Sequence, residues 1–321
     1  MRVLRNVCVL LLLVAISELA GAQSYPNKPV RIISAFPPGG PTDLMSRAIG
    51  PKLGEALGQP IIVEYKTGAN GRIGSDYVAR SPADGYTLML IPPSHTTNAS
   101  TQKNLPYDTL KDFIGVSPVA HGDVVLLANP KLPITGVKEL VALAKSRPGK
   151  LNYAAATTGG SLHLGAELLK LVAGIEMLTV PYNGAGPAMQ DLIAGTADLM
   201  FVAAAPAIPQ IKAGRVRLIA VASLKRSPAF PDTQTFVDAG YANFAIGSDY
   251  GILAPTATPR PIVNRLNGAL EKILATPEIR TTFAGMGVEP WWDTPEQYTN
   301  WIREEVEKWA AVTKAIKYQP E

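Results

Sequence analysis

The chain has 321 residues, 47% hydrophobic and 17% charged, with 28 Gly, 28 Pro, three His and a single Cys. That length suits roughly two domains, and the apolar share excludes wholesale disorder. Thirty Lys and Arg against 26 Asp and Glu give a net charge of +4, scattered along the chain; this excludes the clustered charge of a nucleic-acid binder, and a lone Cys excludes an internal disulfide framework.

The first 22 residues read as an export signal. Arg2 and Arg5 precede an unbroken apolar run, Val7 to Ile16, and Ala20-Gly21-Ala22 supplies small residues at the cleavage positions, so Gln23 is expected to begin the mature chain. The run is short of the ~20 residues a spanning helix needs. Cleavage removes Cys8 and lowers the net charge to +3 by taking Arg2, Arg5 and Glu18. The expected mature protein is periplasmic and soluble.

Strands and helices then alternate. Val30 to Ser34 predicts a strand, and Thr42 or Asp43 caps a helix running to Leu57 with Leu44, Ala48, Leu53 and Leu57 on its apolar face. Ile61 to Glu64, a helix from Gly71 to Arg80 and a strand from Leu88 to Ile91 complete a βαβ rhythm. The pattern restarts with strands at Val124 to Ala128 and Asn152 to Ala155, and helices at Val137 to Lys145 and Ser161 to Ala173. Leu178 to Val180 leads into a helix ending near Gly195, and Leu199 to Val202 and Val216 to Ala222 are further strands. Three helices close the chain, at Pro261 to Ala275, Pro277 to Met286 and Pro295 to Lys317. No internal repeat stands out. Two α/β lobes are expected, with the final helices packed back on the first.

Two strand-to-helix loops carry the functional reading. In Phe36-Pro37-Pro38-Gly39-Gly40-Pro41-Thr42-Asp43, the glycines let a ligand approach the backbone where helix N–H groups suit an anion. Thr157-Thr158-Gly159-Gly160-Ser161-Leu162-His163 repeats the arrangement. Either loop alone also reads as a tight turn with a helix cap; one per lobe favours a carboxylate held between them.

Other motifs fail. The first loop is no G-x-x-x-x-G-K-[ST], and Gly68 to Gly74 spaces its glycines wrongly for a dinucleotide and follows the second strand. Gly159-Gly160-Ser161-Leu162-His163 misses the nucleophile elbow because His163 replaces its last Gly. Three isolated histidines, His95, His121 and His163, do not make a zinc site. No catalytic residue, metal or cofactor is expected.

From Tyr25 to the C-terminal helix the sequence resembles the Bug family, the extracytoplasmic solute receptors of tripartite tricarboxylate transporters. The resemblance rests on Tyr25-Pro26-Asn27-Lys28-Pro29-Val30-Arg31, the Phe36 to Asp43 loop, Leu57-Gly58-Gln59-Pro60, Asp84-Gly85-Tyr86-Thr87-Leu88 and Leu105-Pro106-Tyr107-Asp108. It continues through Pro148 to Tyr153, Val180-Pro181-Tyr182, Ile211-Lys212-Ala213-Gly214 and Leu253-Ala254-Pro255 with Thr258-Pro259.

The resemblance implies a two-lobed, type II periplasmic-binding fold, each lobe a mixed sheet flanked by helices, with the ligand cleft between them. The expected divisions are a signal over 1–22, the first lobe over 23–122 and 245–321, and the second over 123–244. Implied ligand-binding residues are Phe36, Gly39, Gly40, Thr42, Asp43 and Ser94 from the first lobe, with Thr158, Gly159, Ser161 and His163 from the second. Implied partners are a small carboxylate and the membrane permease subunits, with a sensor protein as the alternative, no nucleic acid, and a monomeric state. A secreted hydrolase using Ser161 is the alternative from another class. Two departures bear on specificity: Val202-Ala203-Ala204-Ala205 where the family often has Asp and a small polar residue, and Ser248-Asp249-Tyr250 where it often has Ser-Trp-Phe. Asp249 is expected either to meet an ammonium, hydroxyl or ring N–H on the ligand's far side or to serve as a solvated or capping acid.

Overall fold

The computed structural model describes residues 25–156 and 158–320; the expected signal and Thr157 lie outside them. Strands β1 (Val30–Ser34), β2 (Ile61–Tyr65), β3 (Thr87–Ile91) and β4 (Phe113–His121) are interleaved with α1 (Pro41–Leu57), α2 (Arg72–Ala79) and α3 (Ser94–Thr101). Next come β5 (Val124–Ala128), α4 (Val137–Ser146), β6 (Asn152–Ala155), α5 (Ser161–Ala173), β7 (Leu178–Pro181) and α6 (Ala185–Ala194). After β8 (Leu199–Ala203), α7 (Ala204–Lys212) and β9 (Arg217–Val221), the chain ends with β10 (Tyr250–Pro255), α8 (Arg260–Leu274), α9 (Pro277–Gly285), β11 (Glu289–Pro290) and α10 (Pro295–Ala315).

These elements form two separate mixed sheets, a six-stranded one ordered β11-β4-β10-β3-β1-β2 and a five-stranded one ordered β7-β6-β8-β5-β9. In the first, β1 runs parallel to β2 and β3, whereas β10 is antiparallel to β3 and β4. Alternation along β1 sends Ile32 to a core with Met45, Ile49, Leu53, Val263 and Leu266, and Ile33 to the opposite one with Met89, Leu253, Tyr298 and Ile302. The second sheet repeats this: Phe201 packs with Tyr153, Phe236 and Phe244 on one face, and Met200 and Val202 with Val125 and Leu127 on the other.

The chain passes from the first sheet to the second between β4 and β5, and returns between β9 and β10. The two crossovers are bonded to each other: Gly122 N–H donates to the Ser248 carbonyl at 3.0 Å, and Ser248 N–H to the Gly122 carbonyl at 2.9 Å. Asp123 and Gly247 form an antiparallel bridge beside them. The paired crossovers form a narrow ribbon between the two sheets.

Several expectations need correction. Helix α1 starts at Pro41 with Gly40 as N-cap, and neither Thr42 nor Asp43 caps it; proline's fixed φ suits the first helical position. Its buried stripe is Met45, Ile49, Leu53 and Leu57, while Leu44 is 42% exposed. Helix α10 does not pack on the first lobe alone. Tyr298 and Ile302 join the first sheet's core, whereas Trp309 and Val312 join the second's; a 21-residue helix is about 30 Å long and outreaches a single core. Helices α3 and α7 and strands β4 and β10 have no counterpart among the predicted elements.

Candidate functional site

Both loops open at the carboxyl ends of parallel strands, where open α/β sheets place their ligands. At the end of β1, the Ser34 hydroxyl donates to the Phe36 carbonyl at 3.0 Å and shares a hydrogen bond with the Thr42 hydroxyl at 3.1 Å. Gly39 is left-handed, φ +85°. Its N–H donates to Asp43 Oδ2 at 2.8 Å, and Asp43 Oδ1 accepts from Arg47 Nε at 2.8 Å and the Tyr65 hydroxyl at 2.5 Å. Burial pushes the Asp43 pKa up, but the Gly39 amide, the Tyr65 hydroxyl and Arg47 outweigh it and hold the carboxyl below its ordinary value. Asp43 therefore spends its oxygens inside the protein, setting the shape of the loop.

The second loop has the same geometry. Gly159 is left-handed at φ +73°. Gly160, the N-cap of α5, has φ −76° and ψ 165°, against −78° and 168° at Gly40. The Gly159 N–H donates to Nδ1 of His163 at 3.1 Å, so this nitrogen carries no proton. His163 Nε2 lies 3.8 Å from Glu167 Oε1, whose oxygen is also held by Lys170 and the Thr179 hydroxyl. Burial lowers the His163 pKa, with the Glu167 and Lys170 charges acting in opposite senses. With Nδ1 taken by a backbone amide and Nε2 turned to Glu167, neither ring nitrogen is left to serve as a base for Ser161.

What remains at each loop is the helix end. First-turn N–H groups have no acceptor inside their own helix. These are Thr42 and Asp43 in α1 and Ser161, Leu162 and His163 in α5. Ser161 is half-buried and Thr158 exposed, so both border solvent as an anion site requires. Ser94 is the first residue of α3, and its carbonyl accepts from the Thr97 hydroxyl at 3.3 Å.

Residues not singled out in the sequence connect the two loops. A Cβ on Gly71 would lie 3.1 Å from the Phe36 ring. Asn70, next to it, exchanges hydrogen bonds with Asn98 of α3, each 2.9 Å long. At the far end of α3, Thr101 borders Gly159, where an added Cβ would be 3.5 Å from Thr101 Cβ and 2.8 Å from the Tyr318 hydroxyl. Loop one, the 69–71 turn, α3 and loop two thus form a continuous chain of contacts. Its signal in the sequence is the polar run Ser94-His95-Thr96-Thr97-Asn98, whose last four residues are buried.

Asp249 lies elsewhere. Its Oδ1 is 2.5 Å from His121 Nδ1, and His121 Nε2 is 3.9 Å from Asp123. These three residues lie at or beside the crossover ribbon and line a cavity of about 890 Å³ with walls from both sheets' elements, among them Ile208, Leu224 and Trp291. Of the eleven candidate residues, Asp249 alone lines it. Burial pushes the His121 pKa down, but the bond to Asp249 and the charges of Asp249, Asp123 and Glu289 outweigh it and raise it. A raised histidine stabilises the fold fully below its unfolded value of about 6.5, and the contribution is lost as pH rises through the raised value. His121→Gln is expected to flatten the dependence of melting temperature on pH between about 6 and 8. A slope equal to that of the unmodified protein would show that the pair contributes nothing.

Two α/β units joined by the paired crossovers and by α10, each presenting a glycine loop and a helix N-terminus, have the two-lobed architecture of periplasmic solute-binding proteins. The chain belongs to the tripartite tricarboxylate transporter receptor family, whose description "Tripartite tricarboxylate transporter family receptor" matches residues 45–318. It is 34% identical over 315 residues to Protein BugT of Bordetella pertussis, covering 98% of this chain and 97% of that protein. Among solved structures, it resembles an R. palustris protein with adipate (31% identity, TM-score 0.77, 93% of this chain and 100% of the other). It also resembles MatC from Rhodopseudomonas palustris with bound malate (31% identity, TM-score 0.72, 90% and 99%).

Proposed function

We propose that this protein is a periplasmic receptor that captures a small carboxylic acid between its lobes and passes it to a tripartite membrane permease. The observation that carries the reading is the matched pair of loops, each with a left-handed glycine, a glycine N-cap and first-turn amides that have no acceptor within their own helix. An ionised carboxylate bridging them would accept from Thr42 and Asp43 amides on one side and from Ser161 and its neighbours on the other. Hydrogen bonds to a charged group contribute about 1.5–3 kcal/mol each, so three or four approach the ~8 kcal/mol of micromolar affinity without a buried arginine. The relatives solved with adipate and malate support a di-acid as the ligand class. Export with cleavage after Ala22 and a monomeric state belong to the same reading.

A thermal-shift screen of small mono-, di- and tricarboxylates tests it. A cognate acid at about 100 times its Kd adds roughly 2.7 kcal/mol of stability, a clear rise in melting temperature. A panel in which no carboxylate moves the transition, while an uncharged or cationic solute does, would reject the ligand class.

A further inference from the structure

We infer that His163 is a positioning residue, the neutral counterpart of Asp43, and that protonating it releases the second loop. The two loops share one device. In each, a left-handed glycine donates its N–H to the side chain four residues on, Gly39 to Asp43 at 2.8 Å and Gly159 to His163 at 3.1 Å. The caps between them, Gly40 and Gly160, agree within 3° in both backbone angles. Imidazole Nδ1 thus stands where carboxylate Oδ2 stands in the other lobe.

The chemical difference between the acceptors has consequences. The Asp43 carboxylate accepts at any pH above its own low value and carries a charge that Arg47 balances at 2.8 Å. Imidazole accepts only while Nδ1 is bare. Once both nitrogens carry protons, Nδ1–H points at the Gly159 N–H and two donors face each other, so the loop has to leave. Glu167 secures the tautomer that leaves Nδ1 bare, because its carboxylate lies on the Nε2 side, 3.8 Å away. Among the described residues, the groups facing His163 are Glu167 and Lys170 on its own helix, and the Tyr318 ring from the C-terminal segment at 6.3 Å between centroids. The histidine is buried, and burial lowers its pKa. The clamp is therefore closed at neutral pH, and stability gained from it falls as pH drops below the unfolded histidine value, the opposite sense to His121. A ligand carboxylate arriving at loop two meets an uncharged clamp, whereas at loop one it meets an ion pair.

Histidine side-chain nitrogen NMR on the ligand-free full chain tests the device without needing the ligand. At pH 7.5 the expected signature is a neutral His163 protonated on Nε2, with the Gly159 amide protected from exchange. Protection should persist in His163→Asn, whose side-chain oxygen can accept, and fall at least tenfold in His163→Ala. A proton on Nδ1, a charged ring at pH 7.5, or equal Gly159 protection in the alanine variant would overturn the proposal. The link to binding rests on the receptor reading and is measured separately, with malate and adipate as probes: His163→Asn is expected within about threefold of the unmodified affinity and His163→Ala about tenfold weaker, a loss of roughly 1.4 kcal/mol. If neither probe binds the unmodified protein, the di-acid reading falls while the NMR result still decides the clamp. An alanine variant that binds either probe as tightly as the unmodified protein would refute the clamp's role in binding.

Discussion

Asp43→Ala is expected to weaken carboxylate binding by more than tenfold and to lower stability by about 1.5–3 kcal/mol, the range for hydrogen bonds to a charged group. The carboxylate is buried and receives three donors at once, the Gly39 N–H, Arg47 Nε and the Tyr65 hydroxyl. Truncation leaves all three to find water and frees the left-handed Gly39, φ +85°, from its bond to the side chain four residues on. Asp43→Asn separates geometry from charge. Its oxygen can keep the Gly39 bond, but its amide would face two donors, so it should recover only part of the affinity. Acid acts on the same group: with a lowered pKa, its contribution is present above the unfolded carboxylate value and disappears as pH falls through the folded one. Isothermal titration of Asp43→Ala with malate and adipate, beside urea unfolding, reads both effects. Unchanged affinity together with unchanged stability would remove Asp43 from the site altogether.

Trp309→Ala is expected to cost about 3–5 kcal/mol, the range for emptying a buried aromatic site. The ring is 1% exposed, sits in the second sheet's core, and its Nε1 donates to Glu305 at 2.9 Å. Trp309 also fixes the far half of α10, whose two ends lie in different cores. Losing it should therefore lower the urea midpoint and speed hydrogen exchange along residues 305–315 while leaving residues 295–302 protected by Tyr298 and Ile302. Trp301, part-buried against Trp291 and Tyr298 in the first sheet's core, provides the comparison, since Trp301→Ala should instead loosen residues 295–302 and leave 305–315 protected by Trp309. The same exchange pattern in the two variants would mean that α10 is not anchored in the second lobe.

Much of this architecture was legible in the residues. Strands β1 and β6 and helix α5 coincide with their predicted bounds, because each has a clean apolar pattern flanked by turn residues. The missing elements share a reason. Helix α3 is built from Ser, His, Thr and Asn, residues that compete with the backbone for hydrogen bonds, and only burial against α10 and the 69–71 turn makes it a helix. Strand β4 contains Gly115 and Pro118, and helix α7 contains Pro206 and Pro209, all signals for a break. Gly115 is needed because a Cβ there would lie 2.8 Å from the Thr299 hydroxyl on α10, a long-range contact that no local pattern reveals.

The two loops could be located from their glycines, but not the clamps. Gly-Gly-Pro-Thr-Asp and Gly-Gly-Ser-Leu-His share only two residues, so no repeat is visible in the sequence. Their equivalence lies in two φ angles and a side-chain acceptor four residues on, which only coordinates display. Asp249 illustrates the converse. The departure Ser248-Asp249-Tyr250 pointed to a change in specificity, but no local pattern reveals that its carboxylate is paired with His121 across 128 positions of sequence.

A receptor that captures a carboxylate between two lobes is expected to close on it, and small-angle X-ray scattering tests this most directly. With a saturating concentration of the acid that raises the melting temperature most, the radius of gyration should fall and the scattering curve should shift to that of a more compact particle. Saturation with unchanged dimensions would contradict a trap that closes about the His121–Asp123 and Gly247–Asp249 ribbon.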